Sequence, residues 1–108
     1  MQIAVISNEL VYARMLYLEF ARAGAHCQMM SPKGLSFQGV SWDMALVDAA
    51  CFYETISQVP HSTSIIVYGK AEQLENIKEV DLAPYFIMTR PFKIENLLAL
   101  VFAEAEEE

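Results

Sequence analysis

Cysteine, basic charge and long apolar runs are all scarce in this chain. Only Cys27 and Cys51 carry thiols, at neither Cys-x-x-Cys spacing nor beside histidine ligands, so buried free thiols in a reducing cytoplasm are expected. No apolar stretch approaches the roughly 20 residues that span a bilayer, although 55 % of the chain is hydrophobic. Met1-Gln2-Ile3 runs directly into a strand pattern, so no signal peptide is expected. Seven Lys and Arg face 14 Asp and Glu, a net charge of −7. An acidic surface repels phosphate backbones, which argues against direct nucleic-acid contact. No glycine lies in Ser7-Asn8-Glu9-Leu10 after the first strand, so a nucleotide or flavin phosphate loop has little support. His26 and His61 fall on different elements, which leaves no metal cluster and no base to activate Ser7. The six methionines are read as fillers of core gaps.

What is present is an alternation of short apolar runs and helical patterns. Ile3-Ala4-Val5-Ile6 reads as a strand buried on both faces. Ser7 or Asn8 is placed to cap a helix that runs through Val11, Met15 and Leu18 and stops at Gly24. Ala25 to Met30 is the second strand. Pro32, Gly34 and Gly39 limit the next segment to a turn or a single helical turn. Met44 to Val47 is the third strand, and Phe52 to Val59 a short helix ended by Pro60. Ser64 to Tyr68 is the fourth strand. Ala71 to Val80 is an amphipathic helix, with Leu74, Ile77 and Val80 inward. Tyr85 to Met88 is the fifth strand, and Ile94, Leu97, Leu98 and Val101 make the inner stripe of a closing helix. This pattern predicts an α/β fold: a doubly wound, five-stranded parallel sheet in the flavodoxin-like order 2-1-3-4-5, with shortened second and third helices. In such a fold, residues at the carboxyl ends of the strands converge: Ser7 and Asn8, Asp48, Tyr68, and Arg90.

Two stretches, Trp42-Asp43-Met44-Ala45-Leu46-Val47-Asp48 and Phe86-Ile87-Met88-Thr89-Arg90-Pro91-Phe92, resemble signature segments of the response-regulator receiver (CheY-like) domain. The resemblance implies that Asp48 stands at the phospho-acceptor position, with Asp43 at the earlier acidic position. Arg90-Pro91-Phe92 then stands for the family's Lys-Pro-Phe. The interval from Tyr68 to Arg90, 22 positions, fits the family. The rest departs from the pattern. Ser7-Asn8 replaces the acid pair that helps hold magnesium, Tyr68 replaces a small hydroxyl residue, and Arg90 replaces the lysine. Asp48 to Tyr68 spans 20 positions, shorter than in typical members, and the usual Pro/Gly loop after the acceptor is missing.

One acid where three would stand is a poor magnesium site, and without the metal, phosphoryl transfer loses its main charge neutraliser. Glu9, one position late, is expected to point away. Arg90 is expected to pair with Asp48 in place of metal and phosphate. The expected picture is a degenerate pseudo-receiver, non-enzymatic and cytoplasmic. Its pocket comprises Ser7, Asn8, Asp48, Tyr68, Arg90 and Pro91, with no metal or other cofactor. The resemblance places it in a bacterial two-component-type transcription regulator, as residues 1–103. Residues 104–108 form an acidic tail or the start of a linker to a C-terminal DNA-binding output domain.

Apolar residues surround much of the first helix (Leu10, Val11, Met15, Leu16, Tyr17, Leu18, Phe20), and Leu100 and Phe102 flank the inner stripe of the last. That excess predicts a protein interface, with a homodimer through the last helices and strand edge, as in the family, and no membrane association. Two alternatives carry different chemistry. One is a phospho-accepting receiver using Asp48; the other is a small-molecule sensor in the strand-end crevice, with Tyr68 stacking on the ligand.

Overall fold

The computed structural model describes residues 1–34, 42–59, 62–77, 85–90 and 93–106. Five strands make one parallel sheet: β1 (Gln2–Ile6), β2 (His26–Met30), β3 (Met44–Asp48), β4 (Ser64–Gly69) and β5 (Tyr85–Thr89), in the order β2-β1-β3-β4-β5. The helices are α1 (Leu10–Arg22), α2 (Phe52–Thr55), α3 (Ala71–Ile77) and α4 (Ile94–Glu106). The expected fold class and strand order are both present.

Alternation along the strands divides the core in two, because successive side chains leave opposite faces of a pleated sheet. Ala4, Ile6, Ala45, Val47, Ile65 and Val67 pack with Phe52, Leu74 and Ile77 on the side of α2 and α3. Ile3, Val5, Met44, Leu46, Ile66 and Tyr68 pack on the other side with Ala13, Leu16 and Phe20 of α1 and Leu97 and Val101 of α4. Full burial on both faces explains why β1, β3 and β4 read as near-continuous apolar runs.

Between β2 and β3 the short helical turn is Pro32–Gly34, and residues 35–41 lie outside the described set. The short third helix is α2, four residues held between 3₁₀ turns at Ala49–Cys51 and Ile56–Gln58. Gly24 ends α1 with φ +93°, a backbone that glycine adopts without strain. There the Ala25 N–H donates back to the Phe20 carbonyl at 3.0 Å.

Three local expectations change. The α1 N-cap is Glu9, which makes no side-chain cap bond, whereas Ser7 and Asn8 precede it. β4 runs one residue further, through Gly69, and α4 continues to Glu106, into the stretch expected as an acidic tail. α3 is described through Ile77; Val80 and Pro84 fall outside the described residues, as do Pro60 and His61.

Candidate functional site at the strand ends

Register brings the carboxyl ends of three strands side by side, with Asp48 beside Tyr68 and Gly69 beside Thr89. The cleft above them measures about 450 Å³ and is lined by Asn8, Glu9, Asp48, Ala50, Lys70, Gln73 and Arg90. Asn8, Asp48 and Arg90 therefore meet as the sequence suggested. Pro91 lies outside the described residues.

Asp48 is 5 % exposed, and both of its carboxylate oxygens are engaged. Oδ2 accepts the Ser7 hydroxyl at 2.8 Å, and Oδ1 accepts the Ala50 N–H at 3.0 Å, capping the turn that follows β3. Ser7, itself buried, also accepts the Glu9 N–H at 2.9 Å. One hydroxyl thus ties the end of β1 to the end of β3 and to the entry of α1. Ser7 therefore bonds the N–H of the N-cap residue and lies ahead of the capping position itself.

Arg90 does not pair with Asp48. Its guanidinium carbon lies 3.9 Å from the centroid of the Tyr12 ring, and Nη1 reaches Glu9 Oε2 at 3.3 Å. Glu9 and Tyr12 stand three apart on the first turn of α1 and share a face, so Glu9 turns toward the cleft. A planar guanidinium stacks on an aromatic face and bonds a carboxylate at its edge at the same time, and the carboxylate in reach is Glu9.

Tyr68 lies beneath this layer. It is fully buried, its ring centroid is 5.5 Å from that of Tyr12, and its hydroxyl has no well-formed hydrogen bond among the described residues. Burial pushes its phenol above the usual tyrosine range; the nearby Ser7 hydroxyl opposes this and the Asp48 carboxylate adds to it. Tyr12 is also raised, by burial first, with Arg90 opposing and Glu9 and Asp48 adding. Tyr68 belongs to the core under α1, so it offers no face to a ligand in the cleft.

Gly69 sets the spacing on the far side. A Cβ there would lie 2.6 Å from Ala49 Cβ and 2.9 Å from Gln73 Oε1, so only glycine lets β4 pass this close to the Ala49 turn. Its carbonyl accepts the Arg90 N–H at 2.7 Å. Among residues the sequence reading passed over, Tyr12, Lys70 and Gln73 belong to the site. The available signals were position alone: Tyr12 one turn from Glu9, and Lys70 directly after β4.

The thiols stay out of this chemistry. Burial raises Cys51 to about 11 and Cys27 to about 12, against an ordinary value of 9.0, and both are free. Leu100 and Phe102 are half-buried and pack against the α1-side core. The large exposed apolar side chains among the described residues are instead Leu10, Val11, Met15 and Leu18 on α1, Met29 on β2 and Tyr53 on α2.

Comparison with solved structures shows what kind of fold carries this site. The regulatory domain of the repressor of iron transport regulator, in its inactive form, superposes with a TM-score of 0.77 over 99 % of this chain and 96 % of that one, at 23 % identity. The chain has the receiver fold. The receiver domain of a Francisella response regulator covers 98 % of this chain and 97 % of its own at TM-score 0.73 and 16 % identity. A longer protein, from a streptococcal family of redox sensors evolved from two-component response regulators, matches at TM-score 0.78 and 23 % identity. This chain spans 51 % of its length. No family model and no curated protein matches the sequence.

Proposed function

We propose that this receiver fold works without aspartyl phosphorylation, as a non-enzymatic interaction module of a bacterial transcription regulator. Its acidic surface leaves DNA contact to a C-terminal output domain in the full-length protein. The observation that carries the reading is the engagement of Asp48: Ser7 and the Ala50 N–H each bond one of its oxygens. Charge transfer from Oδ2 to a phosphoryl group would weaken the Ser7 bond inside a buried site.

The donor set supports the same reading. Magnesium demands near-octahedral oxygen ligands, commonly including one or two carboxylates. Here the second carboxylate, Glu9, faces Arg90, and no three His, Cys, Asp or Glu side chains gather among the described residues. The residues do not fit that ion, and we assign the pocket no cofactor. Arg90, docked on Tyr12, holds the end of β5 in one arrangement. Switching would then come from a partner that binds one arrangement better than another. A transcription regulator of this kind would act in the cytoplasm. No helix among the described residues is long and apolar enough to cross a membrane.

The deciding experiment is incubation with acetyl phosphate and magnesium followed by intact mass spectrometry. The unmodified mass is expected. A phosphorylated species that disappears in Asp48→Ala would establish the phospho-accepting alternative. The cleft itself favours a second reading, a sensor of a small polar metabolite. Its volume of about 450 Å³ lies within the range of ligand pockets, and Lys70 and Arg90 offer cationic donors. A compound that raises the melting temperature of the wild type, but not of Lys70→Ala, would support that reading.

A further inference from the structure

The outward face of α1 has the composition of a helix-pairing seam. Val11, Met15, Leu18 and Arg22 follow one another at spacings of four, three and four, diametrically opposite the buried Ala13, Leu16 and Phe20. Val11 is 86 %, Leu18 48 % and Met15 45 % exposed. A surface helix facing one sheet needs a single apolar stripe; this helix carries two, and the second points to solvent.

The charges beside the second stripe indicate what covers it. With Val11 and Leu18 at one seam position of a heptad and Met15 and Arg22 at the other, Arg14 stands on one flank and Glu19 on the other, five residues later. In a parallel two-stranded pair, a residue on one flank faces the partner's opposite flank five positions on. Arg14 of each copy would meet Glu19 of the other, giving two equivalent ion pairs around a seam of Val11, Met15 and Leu18. Glu19 is partly exposed and Arg22 bonds it from the same helix at 3.3 Å, which sets the carboxylate at the edge of the seam and offsets the like charge of the two Arg22 side chains at its end. In a chain of net charge −7, α1 carries Arg14 and Arg22 against Glu19 alone, so repulsion between two acidic domains is weakest along this face.

We propose that a second copy of this chain docks on this face, α1 against α1 in parallel, about a two-fold axis that runs along the helices. α1 packs against α4 and over β2, the edge strand of the sheet. The same axis therefore brings α4 of each copy toward the β2 edge of the other, where Met29 is exposed. Two 13-residue helices make a smaller contact than the roughly 1,600 Å² of a standard interface, so the dimer is weak, on the order of 10–100 µM. The proposal deepens the interaction-module reading but does not depend on the state of Asp48. Phosphoryl transfer and dimerisation are separate measurements, and either can fail alone.

The test is sedimentation velocity on the 108-residue chain across that concentration range, with Arg14→Glu, Glu19→Arg and the double reversal. These surface changes spare the core, and circular dichroism checks the fold. The wild type is expected to dimerise. Each single reversal turns two attractions into two repulsions and should weaken the dimer by about fivefold to tenfold. The double variant should return to within about twofold of the wild type. Register is read separately by oxidative cross-linking. Val11→Cys and Leu18→Cys should each form a symmetric dimer, while the wild type, with Cys51 buried and Cys27 half-buried on β2 away from the seam, should not. Any of three results overturns the assignment. These are a monomer at every concentration, a dimer indifferent to both reversals, or cross-links only in a mixture of Val11→Cys with Leu18→Cys, which would mean antiparallel helices. A monomer would leave the α1 face to a different partner, such as an output domain.

Discussion

Arg90 stacks on Tyr12 at 3.9 Å and gives an ion pair to Glu9, leaving Asp48 to Ser7. The two signature residues of the pocket are therefore satisfied separately. The Glu9 side chain is 56 % exposed and the Arg90 side chain 26 %, so solvent screens their attraction. Arg90→Ala should destabilise the fold by about 1 kcal/mol, mostly through the lost stacking. Urea denaturation measures it. A loss of roughly 3 kcal/mol or more would mean that Arg90 balances a buried charge after all.

Ser7→Ala acts on the other half. It removes the hydroxyl donor from a carboxylate that water barely reaches, and it also releases the Glu9 N–H. The expected cost is about 2 kcal/mol, within the range for hydrogen bonds to charged groups. A change below about 0.5 kcal/mol in the same denaturation experiment would show that this bond does not hold β1 to β3.

Tyr68→Phe should move stability the opposite way, or not at all. The Tyr68 hydroxyl is buried without a well-formed hydrogen bond among the described residues, and deleting an unsatisfied polar atom while keeping the ring relieves its desolvation. The melting temperature should stay level or rise. A drop equivalent to more than about 1 kcal/mol would reveal a hydrogen bond to that oxygen, from the nearby Ser7 hydroxyl or from an ordered water.

The thiols and Tyr68 predict how the protein responds to alkali. Each has a folded pKa raised by burial: Cys51 to about 11, Cys27 to about 12, and Tyr68 higher than its ordinary 10.0. A raised folded value means that the unfolded chain loses these protons first. Stability should therefore be level below about pH 9 and fall as pH climbs through 9 to 12. Alkylation by iodoacetamide at pH 7.5 should be slow in the folded state and fast in urea, because the thiolate is the reactive form. Rapid labelling of the native protein at both sites would contradict the burial of Cys51 and the half-burial of Cys27.

The sheet could be read from the sequence because each central strand is buried on both faces. Short, unbroken apolar runs such as Ile3–Ile6 and Ile65–Tyr68 suit a strand held between two layers of helices. The pocket was legible only as a set of strand ends. Position along the strands puts Ser7, Asn8, Asp48 and Arg90 at one edge, but the sequence does not say which cation faces which anion. That choice depended on Tyr12, whose ring on the first turn of α1 offers a platform that Asp48 lacks. Glu9 turns inward for the same reason: the first turn of α1 presents both residues to the cleft. The apolar excess on α1 was visible in the sequence. Its distribution was not, because the burial of Leu100 and Phe102 depends on how α4 settles against α1.

Gly69 gives the pocket its mechanical character. Its neighbours, Ala49 and Gln73, leave no room for even a methyl group, and its carbonyl holds the Arg90 N–H. Any side chain at this position would force β4 away from the Ala49 turn and shift the carbonyl that anchors Arg90, so the seat of Arg90 depends on the absence of one carbon atom.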